Sequence, residues 1–244
     1  PDPLGKPAEE ARALGITLYF DPDFNRLEGN LGDLLLPDLY FQQGVFQKGL
    51  VSYDRLATLP ENGELVVAAY LPTTDLAIWQ PLTTLFTDNN KETTRLWNTV
   101  FDLQFDHLSL AAVDIETIGV EVRALEAGIY VAFTSSLADG QVTLPWDKDR
   151  APVVDLTRLR LPNLAVKDSM AIDPRQFTAL DVSVDQFSVG EKAFGSLSFE
   201  LRPELSGAAF NNISGNLFGL RAGILEAEAP TEFFWGYDGQ AHLS

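Results

Sequence analysis

Residues 101–128 read FDLQFDHLSLAAVDIETIGVEVRALEAG, and residues 180–207 read LDVSVDQFSVGEKAFGSLSFELRPELSG. The second stretch restates the first 79 residues later, without a gap. Asp102 falls on Asp181, Asp106 on Asp185, Ser109 on Ser188, Glu121 on Glu200, Arg123 on Arg202 and Gly128 on Gly207. Nine further pairs are apolar on apolar, Leu103 on Val182 and Val120 on Phe199 among them. Repeated units of this size stack into extended architectures. Alternation inside the unit has period two, through Leu103 and Phe105, through Ile118, Val120 and Val122, and through Leu197, Phe199 and Leu201, so the unit is built of β-strands. In both copies the phase slips once, at Asp106-His107 and at Asp185-Gln186. A slip within a strand predicts a β-bulge or a tight turn there.

Outward from the repeat, strand signals dominate. Leu39 to Phe46, Leu65 to Tyr70, Ile129 to Phe133, Gly223 to Ala229 and Phe233 to Tyr237 read as strands. Ala127-Gly128, Asp139-Gly140 and Ser206-Gly207 read as turns between them. Helix is scarce. One short helix is expected from Thr74, as N-cap with Asp75 in its first turn, to about Phe86, and a second over Thr93 to Asn98. Residues 87–95 and 145–153 read as polar connectors.

A chain of 244 residues, 45% of them hydrophobic, can bury a core. It has no Cys, hence no disulfide, thiolate metal site or Cys nucleophile. The formal net charge of −18 argues against nucleic acid, whose binding needs Lys and Arg to neutralise phosphates, and against docking on an anionic membrane surface. No apolar run approaches the ~20 residues that span a bilayer. The start at Pro1-Asp2-Pro3, with neither Met nor a signal peptide, reads as that of an internal piece of something longer.

Catalytic and metal chemistry find little support. Of the two His, His107 sits at the slip and its repeat counterpart is Gln186, so its structural role does not need imidazole. No nucleophile elbow, P-loop or dinucleotide fingerprint is present. Asp102 with Asp106 could be cast as a glycosidase pair, but both recur as Asp181 and Asp185, and local backbone support is the simpler role. No enzyme activity, metal or other cofactor is expected.

The remaining question is what the alternating apolar residues cover. In a sandwich they face a second sheet, in a barrel they close on themselves, and in an open curved sheet they line a trough that needs an apolar guest. On the residues alone the sandwich is favoured, as a binding module for an envelope glycan or protein partner. A glycosidase-like β enzyme is the third reading.

One segment shifts this balance. Residues 140–164 place a Gly140…Pro145 strand before Leu156-Thr157-Arg158-Leu159-Arg160-Leu161-Pro162. Asp173-Pro174-Arg175 and Leu180-Asp181-Val182-Ser183-Val184-Asp185-Gln186-Phe187 follow. This order resembles the C-terminal half of the YhdP family, large AsmA-like proteins of the Gram-negative envelope, over roughly residues 95–244. The resemblance implies an inner-membrane-anchored protein whose long periplasmic part is an open, U-shaped β-groove that moves phospholipids between inner and outer membrane. It also implies no enzymatic activity and no cofactor.

The resulting expectation is an all-β fold, an elongated, twisted antiparallel sheet forming an open U-shaped groove from repeated units, with one or two short helices. Residues 1–90 would form a β segment with a helix near 75–86, 91–179 the first groove repeat and 180–244 a truncated second. Together they would make one continuous groove. The expected lining is Leu103, Phe105, Val120, Val122, Val131 and Phe133, then Val182, Val184, Phe199 and Leu201, with Leu156 and Leu159 between the copies. Expected partners are phospholipid acyl chains, the rest of a longer chain and envelope proteins at either membrane, with no nucleic acid. Edge-to-edge pairing into a dimer is a further expectation.

Overall fold

The computed structural model describes residues 14–75, 98–161, 178–222, 233–236 and 241–243, apart from positions 22, 24, 33–34, 62, 111–112, 205–206 and 218–219. Every regular element among them is a strand. They divide into two compact units, Pro1–Ala124 and Leu125–Ser244.

The first unit holds β1 (Leu14–Phe20), β2 (Asn25–Leu31), β3 (Leu35–Gln42), β4 (Val45–Tyr53), β5 (Glu64–Asp75), β6 (Asn98–Leu110) and β7 (Val113–Ala124), side by side in chain order. The span Leu39 to Phe46, expected as one strand, is a hairpin. Gln43 and Gly44 both take positive φ, 51° and 80°, the backbone that a two-residue hairpin turn requires.

The second unit holds β8 (Gly128–Thr134), β9 (Ala138–Pro145), β10 (Val153–Leu161), β11 (Leu180–Val189), β12 (Lys192–Glu204) and β13 (Gly207–Leu217). The short β14 (Leu220–Ala222), β15 (Phe233–Gly236) and β16 (Ala241–Leu243) follow. From β8 to β13 the strands lie in chain order, β15 and β16 continue the sheet, and β14 also pairs with β13. Asp139-Gly140, expected as a turn, lies inside β9. The turn falls at Ser135–Leu137, where the Ser135 hydroxyl accepts the Leu137 and Ala138 amides.

The sheets are open but not wholly antiparallel. The ladders β4–β5, β5–β6 and β10–β11 are parallel. A parallel neighbour needs a crossover where an antiparallel one needs only a turn. Residues 54–63 make the first crossover, and Arg55 ties it down by donating to the carbonyl oxygen and carboxylate of Asp102. Ser52 and Ala68, in the same row as Asp102, are buried.

The helix expected from Thr74 does not start there. Thr74 and Asp75 finish β5, paired with Leu108 and Ser109 of β6. The ladder outweighs a local capping signal. Residues 76–97, over which the rest of this helix, most of the second one and the connector at 87–95 were expected, lie outside the described residues.

The repeat is visible as strand order. In each copy a parallel ladder (β5–β6, β10–β11) is followed by an antiparallel one (β6–β7, β11–β12), and Gly128 and Gly207 open β8 and β13. The slip is realised in two ways. In β11 it is a bulge, with register shifts between Val184 and Phe187 and between Phe187 and Ser188. In the first copy the ladder skips one pair between Phe105–Ile118 and His107–Glu116, and Thr117 takes φ 50° opposite Asp106, which accepts a hydrogen bond from the Tyr70 hydroxyl. Both devices re-aim the side chains beyond them.

Within each unit, every extensive strand–strand contact among the described residues is between ladder neighbours. The sandwich favoured on the residues alone requires strands packed face to face. No such layer is present among the described strands.

Candidate functional site

Residues directly opposite one another across a ladder project from the same face of a sheet. The registers therefore sort the side chains of each unit into two faces.

In the first unit one row runs Leu18–Leu27–Leu39–Gly49–Leu65 across β1 to β5. The next runs Val51–Val67–Phe101–Val122 and the next Leu35–Tyr53–Ala69–Leu103–Val120, followed by Leu71–Phe105–Ile118. Phe41 and Phe46 join this face edge to face, their ring centroids 5.8 Å apart. Gly49 lets the neighbours close over it. A Cβ at Gly49 would meet Leu39 Cδ2 at 2.5 Å and Leu65 Cδ1 at 3.1 Å. No ionisable group other than the Tyr53 phenol belongs to these rows.

The opposite face is charged. Arg26 pairs with Asp38 at 2.7 Å and with Glu28 at 3.6 Å, and its guanidinium stands 5.6 Å and 5.3 Å from the Tyr19 and Tyr40 ring centres. The hydrogen bond to Asp38 pushes the Arg26 pKa further up, so the cation persists throughout the accessible pH range. Arg123 pairs with Glu121 at 2.7 Å and Glu64 at 3.2 Å.

The second unit sorts the same way. One apolar row is Val131–Val142–Val154–Val182–Phe199, and the next is Phe133–Gly140–Leu156–Val184–Leu197–Gly215. Leu201 stands between Leu180 and Phe210, and Phe199 and Phe210 have ring centroids 5.5 Å apart. Leu159 follows the β10 irregularity between Leu156 and Arg158 and lies beside Ala138 and Phe187. On the other face the row Gln141–Asp155–Ser183–Ser198–Ser214 is stitched by side-chain hydrogen bonds, Ser183 to Asp155 at 2.7 Å and Ser198 to Ser214 at 2.6 Å. Arg202 binds Asp181 at 2.6 Å and Glu200 at 2.9 Å. Of the charges that recur in the repeat, Asp102, Glu121 and Arg123 and their counterparts Asp181, Glu200 and Arg202 are thus held in ion pairs on the charged faces.

The structure places the expected lining residues of each unit on its apolar rows. Leu103, Val120 and Val122 in the first unit are half-buried, as are Val131, Phe133, Leu159, Val182 and Phe199 in the second. Phe105, Leu156, Val184 and Leu201 are buried at 4%, 8%, 3% and 5% exposure, so they present less surface to a guest. Sequence reasoning missed Leu27 and Val51, where glycines at 29 and 49 break the alternation of β2 and β4, and also Leu39, Leu65 and Val67. It also missed Val142 and Val154. His107 is exposed within β6, and no group of three or more His, Cys, Asp or Glu that could hold a metal occurs among the described residues. No helix among them is long and apolar enough to cross a membrane.

A protein-family model described as YhdP protein matches residues 1–225. No curated protein and no solved structure matches the chain.

Proposed function

This chain belongs to the YhdP family, and on that premise we propose that its apolar faces carry phospholipid acyl chains in transit between the inner and outer membranes. The family is an envelope family with a lipid-transport role, and the periplasm is the compartment in which such a segment would work. One observation carries the reading. Each unit has a face of aliphatic and aromatic side chains running from strand to strand, backed by a face of closed ion pairs and hydrogen bonds, with no described strand layer over it.

The energetics fit a carrier. An acyl chain of about 16 carbons forfeits on the order of 10 kcal/mol in water, at roughly 0.8 kcal/mol per CH₂. A continuous apolar lining offsets that loss. Apart from the Tyr53 phenol, the first unit's apolar rows carry no ionisable group that would hold a lipid at one position, so a chain can slide along them. Six strand spacings of about 4.8 Å make the first unit's apolar face roughly 29 Å across, large for a surface left to water.

A photo-crosslinking residue at Val120 tests this against one at Glu121, its neighbour on the charged face. Phospholipid adducts from position 120 and none from 121 are expected. Adducts from neither position, or equally from both, would remove the proposal.

A further inference from the structure

We propose that the Lys192 ammonium meets the phosphate of a phospholipid whose acyl chains lie on the second unit's apolar rows. This inference rests on the lipid reading above and adds to it the residue that takes the headgroup.

The rows of that face lead to Lys192. Leu156, Val184 and Leu197 share one row, Leu159 stands beside Phe187 in the next, and Leu161, Val189 and Lys192 make the last. Phe194 adds its ring to that of Phe187, with centroids 5.5 Å apart. Residues opposite one another in a ladder share a face, so the Lys192 side chain leaves β12 on the apolar side. The turn before it fixes the register. Gly190 and Glu191 connect β11 to β12, Gly190 takes φ 57°, and its amide donates to the Leu161 carbonyl oxygen at 2.8 Å. Lys192 is exposed, and its ammonium has no ion pair or hydrogen bond among the described residues. Arg158 and Arg202 differ in both respects: they stand on the other face, held by Asp139 and by Asp181 with Glu200.

A lysine in this setting has two parts. Its methylenes extend the Leu161–Val189 row, and its charge stays in water. A phospholipid has the same division, apolar along its acyl chains and anionic at its phosphate. Tails resting on Leu159, Phe187 and Val189 leave the phosphate at the end of the rows, where an ammonium without a carboxylate partner can donate to its oxygens. Arg160, also exposed, lies in the adjoining row with Ser188 and Ala193 and adds positive potential at this end from the other face. A contact this exposed is weak, as a lipid that must move on requires.

The test uses the full chain and phosphatidylcholine vesicles carrying a trace of fluorescent phosphatidylglycerol or of fluorescent diacylglycerol with identical acyl chains. Diacylglycerol keeps the tails and lacks the phosphate. Lys192→Gln is expected to lower the ratio of phosphatidylglycerol to diacylglycerol extracted by about threefold at about 10 mM salt, with Lys192→Arg behaving as the parent and the difference closing at about 500 mM. An unchanged ratio in Lys192→Gln, which a lysine meeting only free phosphate would give, overturns this inference and leaves the lipid reading standing. An equal fall in Lys192→Arg does the same. Extraction of neither lipid by the parent chain overturns the lipid reading and this inference with it.

Discussion

Leu103 stands directly opposite Val120 across the β6–β7 ladder, and both are half-buried on the face that carries no charge. Val182 and Phe199, 79 residues further on, repeat the arrangement across β11 and β12. A charge introduced on this face meets partial solvent, whereas one introduced at Ala68, at 0% exposure, does not. Val120→Asp should cost about 1–2 kcal/mol and leave a folded chain, while Ala68→Asp should cost about 4 kcal/mol or more. Chemical denaturation of the two variants checks this. Equal losses would mean that Val120 is packed in a closed core.

Glycines in the two apolar faces differ in what their missing Cβ would strike. At Gly140 it would lie 2.3 Å from the Asp155 carbonyl oxygen and 2.8 Å from Leu156 Cα, both backbone atoms of β10. At Gly49 it would meet only side-chain ends. Gly140→Ala should therefore destabilise by about 2–3 kcal/mol and Gly49→Ala by about 1 kcal/mol. Thermal melts of both variants decide it, and the reverse order would mean that β9 and β10 do not approach as described.

Thr117 holds a left-handed backbone, φ 50°, with a β-branched side chain. Such a residue is strained there, and Asn tolerates the conformation better. Thr117→Asn should raise stability by about 0.5–1 kcal/mol. A lower melting temperature would show that the Thr117 side chain contributes more than its backbone conformation costs.

Tyr70 donates its phenolic proton to Asp106, and that hydrogen bond, with smaller contributions from burial and nearby carboxylates, raises its pKa above 10.0. The folded state favours the protonated phenol. Its contribution is present in full below the unfolded tyrosine pKa and is lost as pH climbs through the folded value. Stability should fall above about pH 10 in the parent chain, with a weaker fall in Tyr70→Phe. Identical alkaline profiles would contradict the Tyr70–Asp106 contact.

The period-two alternation of the repeat was enough to expect strands, an apolar face and an irregularity at positions 106 and 185, because these follow from local side-chain order. It could not reveal the parallel ladders at β4–β5, β5–β6 and β10–β11, since alternation specifies a face and not a neighbour. Thr74-Asp75 shows the opposite failure. A good capping sequence is overridden by pairing with Leu108 and Ser109, which lie more than thirty residues downstream. The outer-face clamps were equally hidden. Arg202 with Asp181 and Glu200 recurs in sequence as Arg123, Asp102 and Glu121, yet Arg123 turns to Glu64 and Asp102 to Arg55, because β5 and the first crossover bring other partners within reach.

The account stands most directly on whether the apolar face holds lipid. Native mass spectrometry of the purified chain, followed by organic extraction and lipid identification, measures it. The expected result is co-purified glycerophospholipid in the parent chain, absent from folded Val120→Asp and Phe199→Asp variants. A parent chain free of lipid, and unable to take it up from vesicles, would contradict the account.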